Sequence, residues 1–366
     1  GRIAAAQPGG SGAPLRPAVR ATKDLGGNPR PAVGGCTAPD PLFAVALLLA
    51  TSHCPLATLP YAVYRLPPTA VVAGPGRRAY NQHMPHQDLQ EFVAALEQAG
   101  ELRRVSCEVN PALEMTEIVR RLQEAGGGPA LLFERPKGQQ IPVLMNAFGT
   151  ERRMAMALGV ESCDEIAQRI QALLEFEPPA TLADKLGALP RLAELASWAP
   201  KRVSKAPCQE VVEENPSFAS LPIIKCWPED GGPFITLPVV ITHSPRTGSR
   251  NVGMYRMQIY DEHTAGMHWH VHKHGAEHFR ELPLGQRRLP AAVCLGGDPA
   301  TIYASTAPLP YAFDELLFAG FIRKQAVELV KCKTLDLEVP AQAEIVLEGY
   351  VDAEDMRMEG PFGDHT

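Results

Sequence analysis

The arrangement of apolar and polar residues predicts a capped helix near residue 90. One face of this helix carries four apolar residues at helical spacing: Leu89, Phe92, Val93 and Leu96. Asp88 and Glu91 supply a D-x-x-E capping pattern before them, and Gly100 follows as a stop signal. The sequence therefore predicts a helix that begins directly after Asp88.

Helices and short apolar strands alternate after this point. The pattern predicts a helix over residues 114–125, ended by three glycines, and apolar strands over residues 130–133 and 141–148. A further helix is predicted from about residue 151. Such alternation is typical of an α/β domain.

The second half of the chain is rich in predicted strands. A helical, proline-punctuated connection near residues 176–206 precedes them, and one predicted helix over residues 313–324 interrupts them. The strand-like segments are TLPVVITH (236–243), VGMYRMQIYD (252–261), AAVCLGG (291–297), TIYAS (301–305), AVELVKC (326–332) and AEIVLEGYVD (343–352). Many short strands with Gly and Pro turns predict a barrel or a sandwich, so the fold class is α+β.

Histidines are concentrated in one stretch, GMHWHVHKHGAEHF, which holds five of the eleven in the chain. If residues 267–274 form a strand, the two-residue period places four of them on one face: His268, His270, His272 and His274. The following HGAEHFRE predicts a helix with His274 and His278 one turn apart. A metal ion uses two or three such side chains. The stretch alone therefore leaves open a specific metal site, an adventitious Zn²⁺ or Ni²⁺ patch, and plain packing.

Residues 1–83 differ in composition from the rest of the chain. They hold twelve of the 35 prolines and eight Lys or Arg residues, against only Asp24 and Asp40. We interpret them as a disordered or non-native extension, with Met84 as the start of the natural product. The predicted domains are then residues 84–205, an α/β domain, and residues 206–366, a strand-rich domain.

Charge and cysteine usage narrow the function class. The net charge of −6 and the lack of a long Lys or Arg run argue against a nucleic-acid surface. The eight cysteines are scattered without a CxxC pair, which favours reduced thiols in a cytoplasmic protein. The longest apolar run, FAVALLLA, is too short to span a bilayer.

One arginine and two carboxylates are candidates for chemistry on a carboxylic acid: Arg256, Glu359 and Asp364. A guanidinium can bind a carboxylate bidentately, and a carboxyl group can deliver or remove a proton. Asn251 lies five positions from Arg256, so a regular strand would point the two side chains to opposite faces. We predict that Gly253 allows a bulge or turn that brings them together.

The chain resembles the UbiD family of decarboxylases, and within it the branch of ubiquinone synthesis. The matching stretches occur in order over about 280 residues from Met84 to Thr366. They are GGPALLFERPKG, CWPEDGGPFIT, NVGMYRMQ, PAAVCLGGDPATIYAS, LVKCKTLDLEVPAQAEIVLEGYVD and EGPFGDHT. The resemblance covers only the first two-thirds of a typical member.

The resemblance implies a fold and a cofactor. The fold would be an N-terminal α/β domain followed by a split β-barrel of the flavin reductase type, with a C-terminal α/β domain of the family absent here. The cofactor would be prenylated FMN, held through Mn²⁺ with K⁺ nearby. The implied metal ligands are Asn251, His272 and Glu315, with His272 preferred over His274. Asn251, Gly253, Arg256 and His272 would contact the cofactor.

The resemblance also implies an activity. Arg256, Glu359 and Asp364 would form the catalytic network for non-oxidative decarboxylation of an aromatic acid, 3-polyprenyl-4-hydroxybenzoate in the matching branch. The implied partners are that small-molecule acid, a flavin prenyltransferase as cofactor supplier, further copies of the full-length chain in a homo-oligomer, and a membrane touched peripherally through a prenylated substrate.

Two other functions compete with this expectation. The chain could act on another phenolic or acrylic acid, or it could bind flavin and metal without turnover. Because the chain stops at EGPFGDHT, we expect that expressed as given it folds in its N-terminal part and shows no more than trace activity.

Overall fold

A computed structural model of the chain describes residues 86–174, 193–311 and 313–363. The predicted extension over residues 1–83, the predicted start at Met84 and the predicted catalytic Asp364 all lie outside the described residues. Most of the predicted helical connection also lies outside them, but residues 193–197 at its end are helical.

The first part of the fold is a small mixed sheet with helices. Its elements are α1 (Leu89–Gln98), β1 (Leu102–Val109), α2 (Glu114–Glu124), β2 (Ala130–Pro136), β3 (Val143–Met145), α3 (Glu151–Leu158) and α4 (Asp164–Leu174). Strand β1 pairs with β2 in parallel, and β3 pairs with β2 antiparallel. The predicted α/β alternation is confirmed for this part.

Local capping explains where the first helix begins. The Asp88 side chain accepts a hydrogen bond from the backbone N–H of Glu91 at 2.8 Å, as the capping pattern predicted. Strand β1 was not predicted, because LRRVSCEV is mostly polar and its buried residues do not follow a two-residue period. Its pairing with the apolar β2 makes it a strand.

The second part is built mainly from strands. Its elements are β4 (Lys201–Arg202), β5 (Phe234–Ile235), β6 (Val239–His243), β7 (Arg250–Met254), β8 (Met257–Ile259), β9 (Ala265–Met267), α5 (His274–Arg280), β10 (Arg288–Leu295), α6 (Pro299–Ala304), α7 (Glu315–Arg323), β11 (Glu328–Lys331), β12 (Glu338–Pro340) and β13 (Ile345–Asp352). They form a four-stranded sheet in the order β13-β10-β6-β7 and two three-stranded sheets, β12-β11-β4 and β5-β8-β9. None of the sheets among the described residues closes into a barrel. The split barrel and the domain division at residues 205 and 206 stay predictions.

The predicted strand TIYAS is wrong, because these residues lie in and just after helix α6. Asp298 caps this helix by accepting hydrogen bonds from the backbone N–H groups of Ala300 and Thr301, at 3.0 and 3.1 Å. Pro299 occupies the first helical turn, where its missing N–H costs nothing. The cap and the proline outweigh the strand propensity of the β-branched residues.

The predicted single strand VGMYRMQIYD is also wrong. It is divided between β7 and β8, which belong to different sheets, and the break falls at Tyr255 and Arg256. Gly253 pairs with Val240 in regular register, so the predicted bulge at Gly253 is absent from the β6–β7 ladder. Glycine is required there for another reason. A Cβ on Gly253 would lie 2.3 Å from the ring of Tyr255.

The predicted histidine strand over residues 267–274 ends at its first residue, Met267. Among the described residues, strand β9 lies at the edge of its sheet and pairs only with β8, so no described strand supports the following residues in an extended conformation. The chain turns, with the N–H of Lys273 donating to the carbonyl of His270, and α5 then begins at His274 as predicted.

One buried cluster connects the two parts of the fold. It includes Leu158 of α3, Val239 of β6 and Leu316 of α7, all at most 3% exposed. The shared core fixes the helices of the first part against the sheets of the second. Among the described residues, no helix is both long enough and apolar enough to span a membrane.

Candidate active site

Arg256 and Glu359 form a bidentate ion pair. Arg256 lies in the break between β7 and β8, and Glu359 lies in the segment after β13. The Arg256 Nε donates to Oε1 of Glu359 at 2.9 Å, and Nη2 donates to Oε2 at 3.1 Å. This fork-to-fork geometry is among the strongest side-chain pairings in proteins. The structure therefore joins two of the three predicted catalytic residues.

The turn that carries Glu359 is fixed at both ends. The N–H of Gly360 donates to the Gln258 side chain of β8 at 2.6 Å, and the N–H of Gly363 donates to Asp230 at 2.6 Å. Phe362 packs against Phe234 of β5, with ring centroids 4.6 Å apart. These contacts hold the carboxylate in front of Arg256.

The ring of Phe362 also covers the arginine. The Arg256 guanidinium lies 4.8 Å from the centroid of this ring, which is a cation–π distance. Ion pair and ring together restrict the orientation of the guanidinium plane. Asp364, the third predicted member of the network, lies outside the described residues.

Glu359 is held in its ionised form. Burial alone would raise the pKa of Glu359, but the hydrogen bonds and positive charge of Arg256 outweigh it and hold the pKa below its ordinary value. The carboxyl group is therefore an acceptor in this state. It can donate a proton only after it has received one.

His268 is a third member of this cluster, and the sequence analysis did not assign it a role. Its Nδ1 lies 2.8 Å from Oε2 of Glu359, and its backbone N–H donates to the carbonyl of Arg256 at 3.1 Å. Its position follows from the register of the β8–β9 hairpin, which the sequence pattern does not give. Strands β8 and β9 pair Met257 with Met267, so the next step of the same hairpin register places His268 opposite Arg256.

Two of the predicted metal ligands lie close together. Asn251 of β7 and Glu315 of α7 are both 3% exposed. Glu315 Oε2 accepts a hydrogen bond at 3.0 Å from the backbone N–H of Val252, the residue after Asn251. The Asn251 amide donates at 3.3 Å to the hydroxyl of Tyr255, which orients it.

Glu315 fits a role as ligand of a divalent cation. Burial raises its pKa to about 7. The nearby Arg250 makes its closest ion pair with Asp314, at 3.1 Å, and its positive charge only partly offsets the burial of Glu315. A buried carboxylate with this electrostatic deficit is stabilised by a bound cation, and oxygen ligands with one imidazole suit Mn²⁺. The oxygen atoms of Asn251 and Glu315 therefore fit the metal that the resemblance implies, while the described contacts do not bring His272 to them.

The remaining histidines occupy different surroundings. His272 is exposed and stacks on His270, with ring centroids 5.7 Å apart. His274 contacts Tyr311 and His278 is buried against Thr242. Within the described part of the chain, no three His, Cys, Asp or Glu side chains form a group that could hold a metal ion. The alternative of an adventitious histidine patch is thus not supported by this arrangement.

Comparisons with known proteins identify related chains. The family model described as the 3-octaprenyl-4-hydroxybenzoate carboxy-lyase N-terminal domain matches residues 93–173, and that of the Rift-related domain of the same carboxy-lyase matches residues 201–366. An uncharacterized protein of Archaeoglobus fulgidus is 56% identical over 284 residues, which are 77% of this chain and 58% of the relative. The chain thus spans less than two-thirds of the length of this relative.

Two solved structures have similar folds. One is an evolved dimeric form of the UbiD-class enzyme HmfF from Pelotomaculum thermopropionicum in complex with prFMN, with a TM-score of 0.65 and 33% identity over 76% of this chain and 60% of that one. The other is vanillic acid decarboxylase from Sedimentibacter hydroxybenzoicus in a closed form, with a TM-score of 0.65 and 29% identity over 76% of this chain and 57% of that one.

Proposed function

Since this chain belongs to the UbiD family, we propose that it is a carboxy-lyase that removes CO₂ from an aromatic acid with the help of prenylated FMN. The observation that carries the proposal is the Arg256–Glu359 pair, with the ionised carboxylate held in a fixed turn. A module that only binds flavin has no use for such an acid–base pair. This argues against the alternative of binding without turnover.

The ion pair leaves one edge of the arginine for a substrate. The Nε and Nη2 atoms of Arg256 are used by Glu359, and Nη1 makes no hydrogen bond to a described residue. Nη1 would bind the substrate carboxylate, while Glu359, together with Asp364, would handle the proton that replaces CO₂. Gly253 would contact the cofactor from β7, as the resemblance implies.

The cofactor would be held through a metal ion bound by residues of β7 and α7 and by His272. Asn251, His272 and Glu315 would bind Mn²⁺, with K⁺ nearby, and the metal would hold the flavin phosphate. When bound, the modified flavin supplies the electron sink that loss of CO₂ from an aromatic ring requires, which no amino-acid side chain provides. The prFMN complex of the related HmfF structure supports this choice.

The substrate we favour is 3-polyprenyl-4-hydroxybenzoate. This is the acid of the family description, 3-octaprenyl-4-hydroxybenzoate, with no length assigned to its prenyl chain. The second candidate substrate is another phenolic acid. The vanillic acid decarboxylase among the similar structures favours it. A flavin prenyltransferase would supply the cofactor, and the full-length protein would act in the cytoplasm as a homo-oligomer that meets a membrane only through a prenylated substrate.

The test is CO₂ release from the full-length protein co-expressed with a flavin prenyltransferase. We expect release from 4-hydroxybenzoate-type acids and an ultraviolet-visible spectrum typical of a bound flavin. Arg256→Lys loses the bidentate fork and Glu359→Gln loses the titratable carboxyl, so both should keep the flavin and lose turnover by about 100-fold or more. Arg357→Lys, which changes a surface arginine paired with Asp355, is the matched control and should behave as wild type.

Two results would count against the proposal. Bound flavin without CO₂ release from any aromatic or acrylic acid would favour the binding function. Wild-type turnover in Arg256→Lys and Glu359→Gln would remove this pair from the mechanism. A comparison of prenylated, unprenylated and acrylic acids as substrates then decides between the candidate acids.

A further inference from the structure

Each turnover of the proposed reaction consumes a proton. Loss of CO₂ from a carboxylate breaks a carbon–carbon bond and leaves its electron pair on the substrate, where a proton must bind to give the product. The balance is one carboxylate and one proton in, and one CO₂ and one C–H product out. The site therefore needs a route that supplies a proton from solvent every cycle, and this inference rests on the proposed function.

Glu359 cannot supply successive protons unaided. Its side chain is 12% exposed, and both of its oxygens accept hydrogen bonds from Arg256. The pairing with Arg256 outweighs the effect of burial and keeps the pKa of Glu359 below its ordinary value, so its resting form carries no proton. Some neighbouring group must protonate it.

Only one of its described partners can do so. The described side chains that hydrogen-bond Glu359 are those of Arg256 and His268. An arginine does not give up a proton near neutral pH, whereas an imidazole exchanges protons readily in this range. Because an ionised carboxylate is an acceptor only, Nδ1 of His268 must carry the proton that faces Oε2.

The position of His268 connects the carboxylate with the surface. Its side chain is 32% exposed, and its Nε2, the far atom of the ring, lies 3.2 Å from Nε2 of the exposed His270. Its backbone is fixed by the hydrogen bond to the carbonyl of Arg256. Among the described residues, the charged and titratable groups that contact it are Glu359, Arg256 and His270. One ring nitrogen thus faces the buried acid, and the other faces outward.

We propose that His268 is the proton-supply residue of this site. Solvent protonates Nε2, the proton on Nδ1 passes to Oε2 of Glu359, and the protonated carboxyl group is the source of the proton that replaces CO₂ on the substrate. The imidazole is then neutral with its proton on Nε2, and exchange with water restores the Nδ1 tautomer. His268 is therefore a positioning and relay residue that acts through Glu359.

The test compares His268→Gln with His263→Gln in the flavin-loaded full-length protein. Glutamine can still donate a hydrogen bond to Glu359 but cannot relay a proton. His263 is an exposed histidine of the turn between β8 and β9 that contacts the carbonyl of Pro216, so it is a matched control outside the site. We expect His268→Gln to keep its flavin content and KM and to lose kcat by about 100-fold. His263→Gln should keep all three.

Chemical rescue separates a relay from a structural role. Imidazole added to the buffer should restore kcat of His268→Gln in a saturable manner and leave the wild type unchanged. A kcat within twofold of wild type, or a loss that imidazole does not rescue, would overturn the relay while the proposed function stands. A wild-type protein that binds flavin and releases no CO₂ would overturn the proposed function and the relay with it.

Discussion

Two buried polar residues, one in β7 and one in α7, form the core of the proposed metal site. Glu315 and Asn251 are almost fully buried, and the carboxyl group of Glu315 has a pKa raised to about 7 by that burial. A divalent cation would favour its ionised form and restore the electrostatic balance. The third proposed ligand, His272, is exposed.

The metal assignment predicts which histidine matters for cofactor retention. Replacing His272 with Ala should abolish Mn²⁺ and flavin retention together, because one of three ligands is lost. His268→Ala and His270→Ala should retain both, since neither residue is a proposed ligand. Metal analysis and the flavin spectrum of the purified variants measure how much Mn²⁺ and flavin each variant retains. Full cofactor loading in His272→Ala would show that the assignment is wrong.

His278 predicts a pH dependence of stability. The ring is 1% exposed, its Nδ1 lies 2.9 Å from Thr242 Oγ1, and burial lowers its pKa from 6.5 to about 4. Below pH 6.5 the unfolded chain binds a proton at this residue and the folded chain does not, so stability falls as the pH falls toward 4. From pH 7 to pH 5 this residue should cost about 2 kcal/mol of unfolding free energy.

Urea unfolding at the two pH values measures this loss. His278→Gln should show a smaller fall between pH 7 and pH 5 than the wild type, because the titrating ring is gone. His263→Gln, which changes an exposed histidine, should show the wild-type fall. An unchanged pH dependence in His278→Gln would contradict the prediction.

At the scale of elements, caps decide where helices begin. Asp88 caps α1 and Asp298 caps α6, and in both cases a carboxylate oxygen accepts from backbone N–H groups that have no partner inside the helix. The cap of α6 decides the conformation of a segment whose β-branched residues favour a strand. A local hydrogen bond at the helix terminus can thus outweigh propensity.

The cap of α1 predicts a modest contribution to the unfolding free energy. Asp88→Ala should reduce the unfolding free energy by about 1 kcal/mol, because the N–H of Glu91 loses its acceptor. Asp88→Asn keeps an acceptor and should stay within a few tenths of a kcal/mol of wild type. Urea denaturation of both variants measures the difference. An equal loss in the two would show that charge rather than the hydrogen bond stabilises this end.

At the scale of the whole molecule, the two parts of the fold share one core. Leu158 of the first part is buried in the same cluster as Val239 and Leu316 of the second. Neither part can lose its structure without exposing apolar surface of the other. We therefore expect the described residues to unfold as one cooperative unit.

A single substitution tests this coupling. Leu158→Ala should destabilise the protein by about 2 to 5 kcal/mol, because it leaves a cavity in the shared cluster. Far-UV circular dichroism and tryptophan fluorescence should still report coincident transitions. Leu284→Ala changes a fully exposed leucine and should leave stability unchanged. Two separate transitions in the Leu158→Ala protein would contradict the shared core.

The sequence by itself determined the elements whose signals are local. The cap and apolar stripe of α1, the glycines after α2 and the helix after the histidine stretch all lie within a few residues of the structure they specify. The motifs that resemble the UbiD family, and that occur in order along the chain, also grouped Arg256 with Glu359 as catalytic residues. Helix α6, strand β1 and the break at Arg256 were missed, because they depend on a cap and on pairing partners elsewhere in the chain.

The tertiary structure alone decided how the site is assembled. Arg256 and Glu359 are 103 residues apart, and His268 and Glu359 are 91 apart, yet they meet within hydrogen-bond distance. No periodicity in the sequence encodes those distances. The β8–β9 hairpin register and the anchored turn after β13 set them, and the burial that shifts the pKa values of Glu315 and His278 arises only when distant elements exclude water together.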